Sequence, residues 1–404
     1  MLRSMYSGIG GMKNFQTKLD VIGNNISNVN TYGFKKGRTT FKDLVSQQLA
    51  GASNPTDNRG GTNPQQIGLG GTMATVDTIH TQGSLQTTGR ALDLGISGDG
   101  FFIVNDGDLS YYTRAGNFYL DREGTLVTGD GMKVQGYRPG EDGQIDMNDF
   151  GELAIQAGEV IPPQATTDVS LKGNLDANPE QPVTVQYSVV DSLGGTHNIE
   201  VVFERQGENN WTYTINGPEG TNVNNGNGNI EFDENGQVDN PTDPINNVNF
   251  TPGNGAGQLS FDIDFSSITQ FSGSNTVDID EINGNSEGFL ESFNISQTGE
   301  INGVYTNGEV RVLGQIAMAT FNNTGGLTKS GDNLFQVSNN SGVPNIGLAG
   351  EGRGVMQGSS LEMSNVDLSE EFTEMIVAQR GFQSNTRIIT TSDEILQELV
   401  NLKR

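Results

Sequence analysis

Met5, Met12, Leu19 and Ile26 recur every seven residues at one end of this 404-residue chain, and Leu368, Met375, Phe382, Ile389 and Leu396 do so at the other. A seven-residue apolar repeat marks a helix that buries a narrow seam against another helix. Ile9 and the series Phe15, Ile22, Val29 widen the first stripe; Phe372 and Val400 lie at intervening seam positions of the second, but so do the polar Gln379, Thr386 and Asp393. No third helical period lies between the two ends. A lone amphipathic helix draws most of its stability from packing, so the two ends must pack on each other or on other copies of the chain.

The first helix is expected to stop near Asn28-Val29-Asn30, with Gly33 supplying the break, and Gly8, Gly10 and Gly11 weaken its first turns. The second is expected to start at Asp367, which with Glu370 resembles a capping box that uses Asp. A run of about 35 helical residues would be about 50 Å long, which suits a coiled-coil or fibrous setting.

Everything between reads as β. Hydrophobic residues make up only 33% of the chain and 56 residues are Gly, a profile of short strands and turns. Strands are expected on either side of Gly98-Asp99-Gly100, and about Asp121-Arg122-Glu123-Gly124. Alternating apolar residues at 183–189, 199–203, 211–215 and 259–265 each imply a half-buried antiparallel strand. Phe232 to Val238 reads as a hairpin turn. Residues 50–66 and the Asn/Gly-rich 220–229 read as loops.

Charge divides the chain further. Residues 1–45 carry +5 and residues 361–404 carry −4 of a total of −27, leaving −28 for the middle. Residues 150–284 hold twenty acidic side chains against Lys172 and Arg205 alone. Nucleic acid and anionic membranes are therefore unsuited partners for the bulk of the chain, and no apolar run approaches the roughly 20 residues of a membrane span. Met1-Leu2-Arg3-Ser4-Met5-Tyr6 opens no signal-peptide pattern. The expected division is 1–67, the first helix and its connection; 68–148, inner β; 149–284, an acidic outer β domain; 285–360, inner β again; and 361–404, the second helix. The order is nearly palindromic, as in a chain that runs outward from an axis, turns in an outer domain and returns. The fold class expected is mainly β with long terminal helices that form an inner coiled-coil-like domain.

Catalytic and metal chemistry finds little footing. The chain has no Cys, and its two histidines are His80 and His197, the latter beside Gly194-Gly195-Thr196 and read as a solvated loop residue. Asp262 with Asp264, and Asp278 with Asp280, share strand faces, but calcium-loop spacing is absent. Gly68-Leu69-Gly70-Gly71 lacks the Lys-Ser/Thr of a phosphate loop. No cofactor, metal or catalytic residue is expected. The outer domain alone would allow a secreted β-rich carbohydrate-binding protein, but the terminal heptads argue against it; a hydrolase using paired carboxylates would require loss of activity on changing single Asp residues.

Three groups of residues carry a resemblance. The first is Asn24-Asn25-Ile26-Ser27-Asn28-Val29-Asn30-Thr31-Tyr32-Gly33-Phe34-Lys35. The second is Ser364-Asn365-Val366-Asp367-Leu368 with Met375-Ile376-Val377-Ala378-Gln379-Arg380. The third is Arg90 to Leu94, Gly98 to Phe102 and Tyr112 to Phe118. The chain thus resembles the bacterial flagellar rod and hook protein family at both ends and in its inner β segments. The acidic insert resembles the outer domain of the hook branch more than the distal rod branch, which is kept as the alternative. The resemblance implies a non-enzymatic subunit of a curved, flexible, extracellular tube that transmits torque, exported unfolded through the flagellar type III apparatus without a cleavable signal. It implies as partners other copies of the chain, the distal rod protein, the hook cap protein and the hook–filament junction protein. The apolar seam residues, Met5, Met12, Leu19, Ile22, Ile26, Leu368, Phe372, Met375, Phe382, Ile389 and Leu396, would be the assembly interface.

Overall fold

The computed structural model describes residues 2–55, 59–140, 143–156, 158–218, 223–241 and 243–402. The chain is mainly β with one helix near each end: α1, Leu2–Ser27, and α2, Leu368–Asn401. It forms two compact units. The first comprises residues 1–156, 294–302 and 312–404, and the second residues 157–293 and 303–311.

In the first unit α1 and α2 lie antiparallel, with Asn25 near Glu371 and Met12 near Thr386. The start of α2 follows from its cap. The Asp367 carboxylate accepts from the Ser369 and Glu370 backbone N–H groups, satisfying two of the orphan donors of the first turn. The reciprocal half of the box is used otherwise, because the Glu370 carboxylate pairs with Lys36 at 2.7 Å. After α1 the chain turns at Gly33, whose φ of +70° suits glycine. It then enters β1 (Gly37–Asp43), which pairs antiparallel with β4 (Gly71–Thr78). Between them β2 (Ser46–Ala50) and β3 (Gln65–Gly68) form a hairpin exposed along its whole length. Part of the stretch read as a loop is therefore paired strand; residues 56–58 lie outside the described residues.

The β part of this unit joins early and late segments. Phe101–Asp106 pairs with Leu109–Thr113, Lys133–Pro139 and Met318–Thr320. Leu94–Ser97 pairs with Val355–Gly358, and Leu85–Thr87 with Ser360–Glu362. Phe101, Ile103, Tyr112, Tyr137, Ala317 and Phe335 share one core.

The second unit holds a five-stranded antiparallel sheet, from Val183–Val190 to Val238–Asn240, and a four-stranded sheet containing Asp168–Asp176 and Leu259–Phe271. The alternating residues read from the sequence do point inward: Val185, Ile199, Phe203, Trp211, Phe261 and Phe265 share its core. The expectation of antiparallel pairing fails at one place, since Leu259–Phe271 runs parallel to Asp168–Asp176. Alternation reports which face is buried, not the direction of the neighbouring strand. The 232–238 turn forms as expected, with Asp233 accepting from the Asn235 and Gln237 N–H groups. Of the 220–229 stretch, Asn227–Asn229 is strand and residues 220–222 lie outside the described residues.

His197 is no solvated loop residue. It lies on the strand Thr196–Gly207, and its Nε2 stands 2.7 Å from the buried Asp191 carboxylate. Burial opposes that charge, but hydrogen bonds from His197, Asn254 and the Gly195 and Leu193 N–H groups hold Asp191 below the usual carboxylate range. The arrangement locks the 191–195 turn.

Candidate assembly surface on the paired terminal helices

The α1–α2 seam is regular, and one of its two alternating series on α2 lies one residue from where the heptad count puts it. On α2 the shielded positions include Glu371, Met375, Ala378, Phe382, Asn385, Ile389, Ser392 and Leu396, alternately four and three residues apart, with Gly381 beside Phe382. The series Met375, Phe382, Ile389, Leu396 is as expected. Its companion series is Glu371, Ala378, Asn385, Ser392, in place of Phe372, Gln379, Thr386 and Asp393. Heptad counting by apolar residues alone chose Phe372 over Glu371, because a buried carboxylate is the less expected seam residue.

On α1, Ile22 and Asn25 are buried, Phe15 faces Gly381, and Met5, Met12, Leu19 and Ile26 are half-buried on one flank. Leu368 and Phe372 are exposed, the latter by 50%. Ile376, Val377, Ile388, Ile395, Val400 and Leu402 are exposed as well. The pair thus covers one apolar seam and leaves apolar side chains uncovered.

Polar groups fasten the ends of the helices to the β segments. Asn25 donates to the Gly37 carbonyl at 2.8 Å and to both Glu371 carboxylate oxygens at 3.2 Å, and accepts from the Gly37 N–H. Burial pushes the Glu371 carboxyl up, against the Asn25 hydrogen bond. Asn28 donates to the Asn24 carbonyl and accepts from the Thr31 hydroxyl, closing the end of α1. A side chain on Gly33 would strike Ala115, 2.5 Å from its N, and Gly33 N–H donates to the Glu362 carbonyl. Asn365 accepts from Lys36 N–H and donates to the Ile79 carbonyl. Ser364 accepts from the Val366 N–H just before the Asp367 cap. Gln379 and Arg380 are exposed on α2.

Beneath these lies a buried charge cluster. Lys35, Arg114 and Glu362 are 1%, 3% and 0% exposed. The Lys35 ammonium lies 2.6 Å from Glu362 and Arg114 Nη1 3.2 Å from it. Lys35 also donates to the Thr81 carbonyl, and Arg114 to that of Gly98. Burial lowers the Lys35 ammonium pKa, with Glu362 pulling it partly back. Phe34 is buried beside them under the Lys329 ammonium, 4.9 Å from its ring centre. The sequence marked Lys35 by resemblance; Arg114 and Glu362 fell in or beside quoted motifs with nothing to signal that they meet.

The comparisons decide the family. Four family descriptions match in chain order: "Flagella basal body rod protein" at residues 5–35, "Flagellar hook protein FlgE/F/G D1 domain" at 95–175, "Flagellar basal body protein FlaE D2 domain" at 162–285 and "Flagellar basal body rod FlgEFG protein C-terminal" at 357–402. The flagellar hook protein FlgE of Borreliella burgdorferi is 44% identical across the whole of both chains. The chain belongs to the flagellar hook and rod protein family. The flagellar hook protein FlgE of Escherichia coli is 35% identical over 98% of each chain. The flagellar basal-body rod protein FlgG of Bacillus subtilis is 40% identical over all of both. The crystal structure of Helicobacter pylori flagellar hook protein FlgE2 shares the fold, at a TM-score of 0.52 and 14% identity, over 69% of this chain and 100% of that one. Among the described residues no helix is long and apolar enough to cross a membrane.

Proposed function

We propose that this hook subunit polymerises through its paired terminal helices, which form a coiled-coil-like inner wall, into a curved and flexible tube that passes torque from rod to filament. The observation that carries the reading is the apolar surface left open on both helices after they pair. Phe372, Val377, Ile388 and Ile395 stand in solvent in the single chain, where burial would gain on the order of 25 cal/mol per Å². Neighbouring copies supply that burial. Met5, Met12, Leu19 and Ile26 on α1 and Leu368 and Phe372 on α2 take part, and Ile22, Met375, Phe382, Ile389 and Leu396 hold the pair together beneath. The β2–β3 hairpin, which has no packed face of its own, is a second surface in search of a partner.

The chain's path is outward and back, with 1–67 and 361–404 at the axis, 68–148 and 285–360 next, and 149–284 outermost. The acidic outer segment suits exchangeable contacts, because like charges oppose tight sticking and salt screens them. The subunit does no chemistry. It is exported by the type III apparatus without a cleaved signal, lies outside the cell, and meets the distal rod protein, the hook cap and the hook–filament junction protein. Whole-length likeness to a protein named as a basal-body rod protein supports a second reading, a distal rod subunit.

Deleting residues 162–285 separates the two. The chain enters and leaves that segment side by side, Gln164 N–H donating to the Asn285 carbonyl at 2.9 Å, so a short linker can close it. In a strain lacking its own hook protein, the full chain should restore curved hooks and the deletion should give tubes of altered curvature. Straight, rigid tubes from both would favour the rod reading.

A further inference from the structure

Glycine inside a helix costs about 1 kcal/mol relative to Ala, yet α1 carries Gly8, Gly10, Gly11 and Gly23, and α2 carries Gly381. Three of these lie on the α1–α2 contact, each opposite a larger side chain. A Cβ on Gly381 would sit 2.5 Å from Phe15 Cζ. One on Gly11 would sit 2.8 Å from Asn385 Oδ1, and one on Gly8 3.5 Å from Ile389 Cγ1. The sockets therefore lie on both helices: α2 provides one for Phe15 and α1 provides one for Asn385, while Gly8 makes an ordinary close contact with Ile389.

A heptad seam alone cannot choose its register, because sliding one helix by seven residues returns the same apolar series to the contact. Charge between the helices chooses only weakly. In the observed register Lys18 pairs with Glu374 at 3.1 Å, and the slide that carries Gln379 opposite Met12 would bring Glu371 from Asn25 to Lys18, replacing one Lys18–carboxylate pair by another. The same slide takes Phe15 off Gly381 and sets it against Glu374, and sets Gly11 against Ala378.

We propose that the glycine sockets, with the Asn25–Glu371 clasp, are the specificity-determining residues that fix the register of the terminal helix pair. They reject the slipped pairing that the apolar seam alone would accept. Size complementarity makes the choice: Phe15 meets a glycine in one register and the Glu374 side chain in the next, and Asn25, which also holds the Gly37 carbonyl, keeps its carboxylate partner only in the first. The inference concerns pairing within one chain and stands apart from where that pair lies in a tube.

Disulfide trapping in the full-length chain tests it, since the chain contains no Cys of its own. Met12→Cys with Thr386→Cys reports the observed register, in which Thr386 Oγ1 lies 3.3 Å from Met12 Sδ. Met12→Cys with Gln379→Cys reports the slip. In the parent the first pair should close at least about tenfold more than the second, read as intramolecular cross-linking of dilute protein. Adding Gly11→Val and Gly381→Val should reverse the preference or abolish it. The swap Phe15→Ala with Gly381→Leu, which exchanges knob and socket, should restore the first pair. Equal closure of both reporters in the parent would overturn the proposal. So would an unchanged preference in the Gly→Val variant, or failure of the swap to restore the observed register where Gly381→Leu alone has lost it.

Discussion

Glu362 lies within ion-pair distance of both Lys35 and Arg114, and all three are buried. Removing one member of such a cluster leaves uncompensated buried charge, which costs about 3–5 kcal/mol. Glu362→Gln should therefore lower the unfolding free energy of the first unit by that amount, measured by denaturant titration; a loss below about 1 kcal/mol would mean the cations find other partners. His80 packs against Phe101 and Phe335, with both ring nitrogens buried. Burial, and then the charges of Lys35, Arg114 and Lys329, push its pKa down to about 4. The folded chain keeps the ring neutral while the unfolded chain takes up a proton below about pH 6.5. Stability from this residue is thus present above that pH and lost as pH falls toward 4, by at most about 3 kcal/mol. His80→Phe should flatten the pH dependence of the melting temperature between 6.5 and 4 relative to the parent, and parallel curves would contradict it. None of this was legible in the sequence, because these residues lie far apart in the chain and meet only once the two halves of the inner β segment have paired.

At the scale of elements, more could be read. Both helices and their ends followed from period and capping residues, and the inward faces of the second unit followed from alternation. The missing part is pairing. The parallel partner of Leu259–Phe271, the β2–β3 hairpin and the one-residue offset of the α2 seam each depend on what lies opposite, which local pattern does not encode. The offset sorts α2 into two classes with different consequences. Phe382 and Ile389 belong to the seam within the chain, so Phe382→Asp or Ile389→Asp should reduce helix content in circular dichroism by opening the pair, since burying a charge there costs several kcal/mol. Phe372 and Ile388 are exposed by 50% and 43%, so Phe372→Ser with Ile388→Ser should leave the free chain's helix content unchanged and abolish polymerisation in sedimentation. Normal polymers from the second variant would mean that this flank faces no neighbour.

For the whole molecule, the proposed assembly joins copies through the surface the terminal helices leave open, with the acidic second unit free to make weaker outer contacts. Sequence alone divided the chain into helical ends and two β regions, because composition and period change sharply at those places. What it could not show is which apolar residues stay uncovered after the helices pair, and those are the residues the proposed assembly would bury. The direct measurement is a three-dimensional electron-microscopy reconstruction of tubes assembled from the full chain. It should place α1 and α2 in the innermost wall, with Phe372, Val377, Ile388 and Ile395 buried against neighbouring copies. A tube whose subunits touch chiefly through residues 162–285, with those four side chains still facing solvent, would contradict the account.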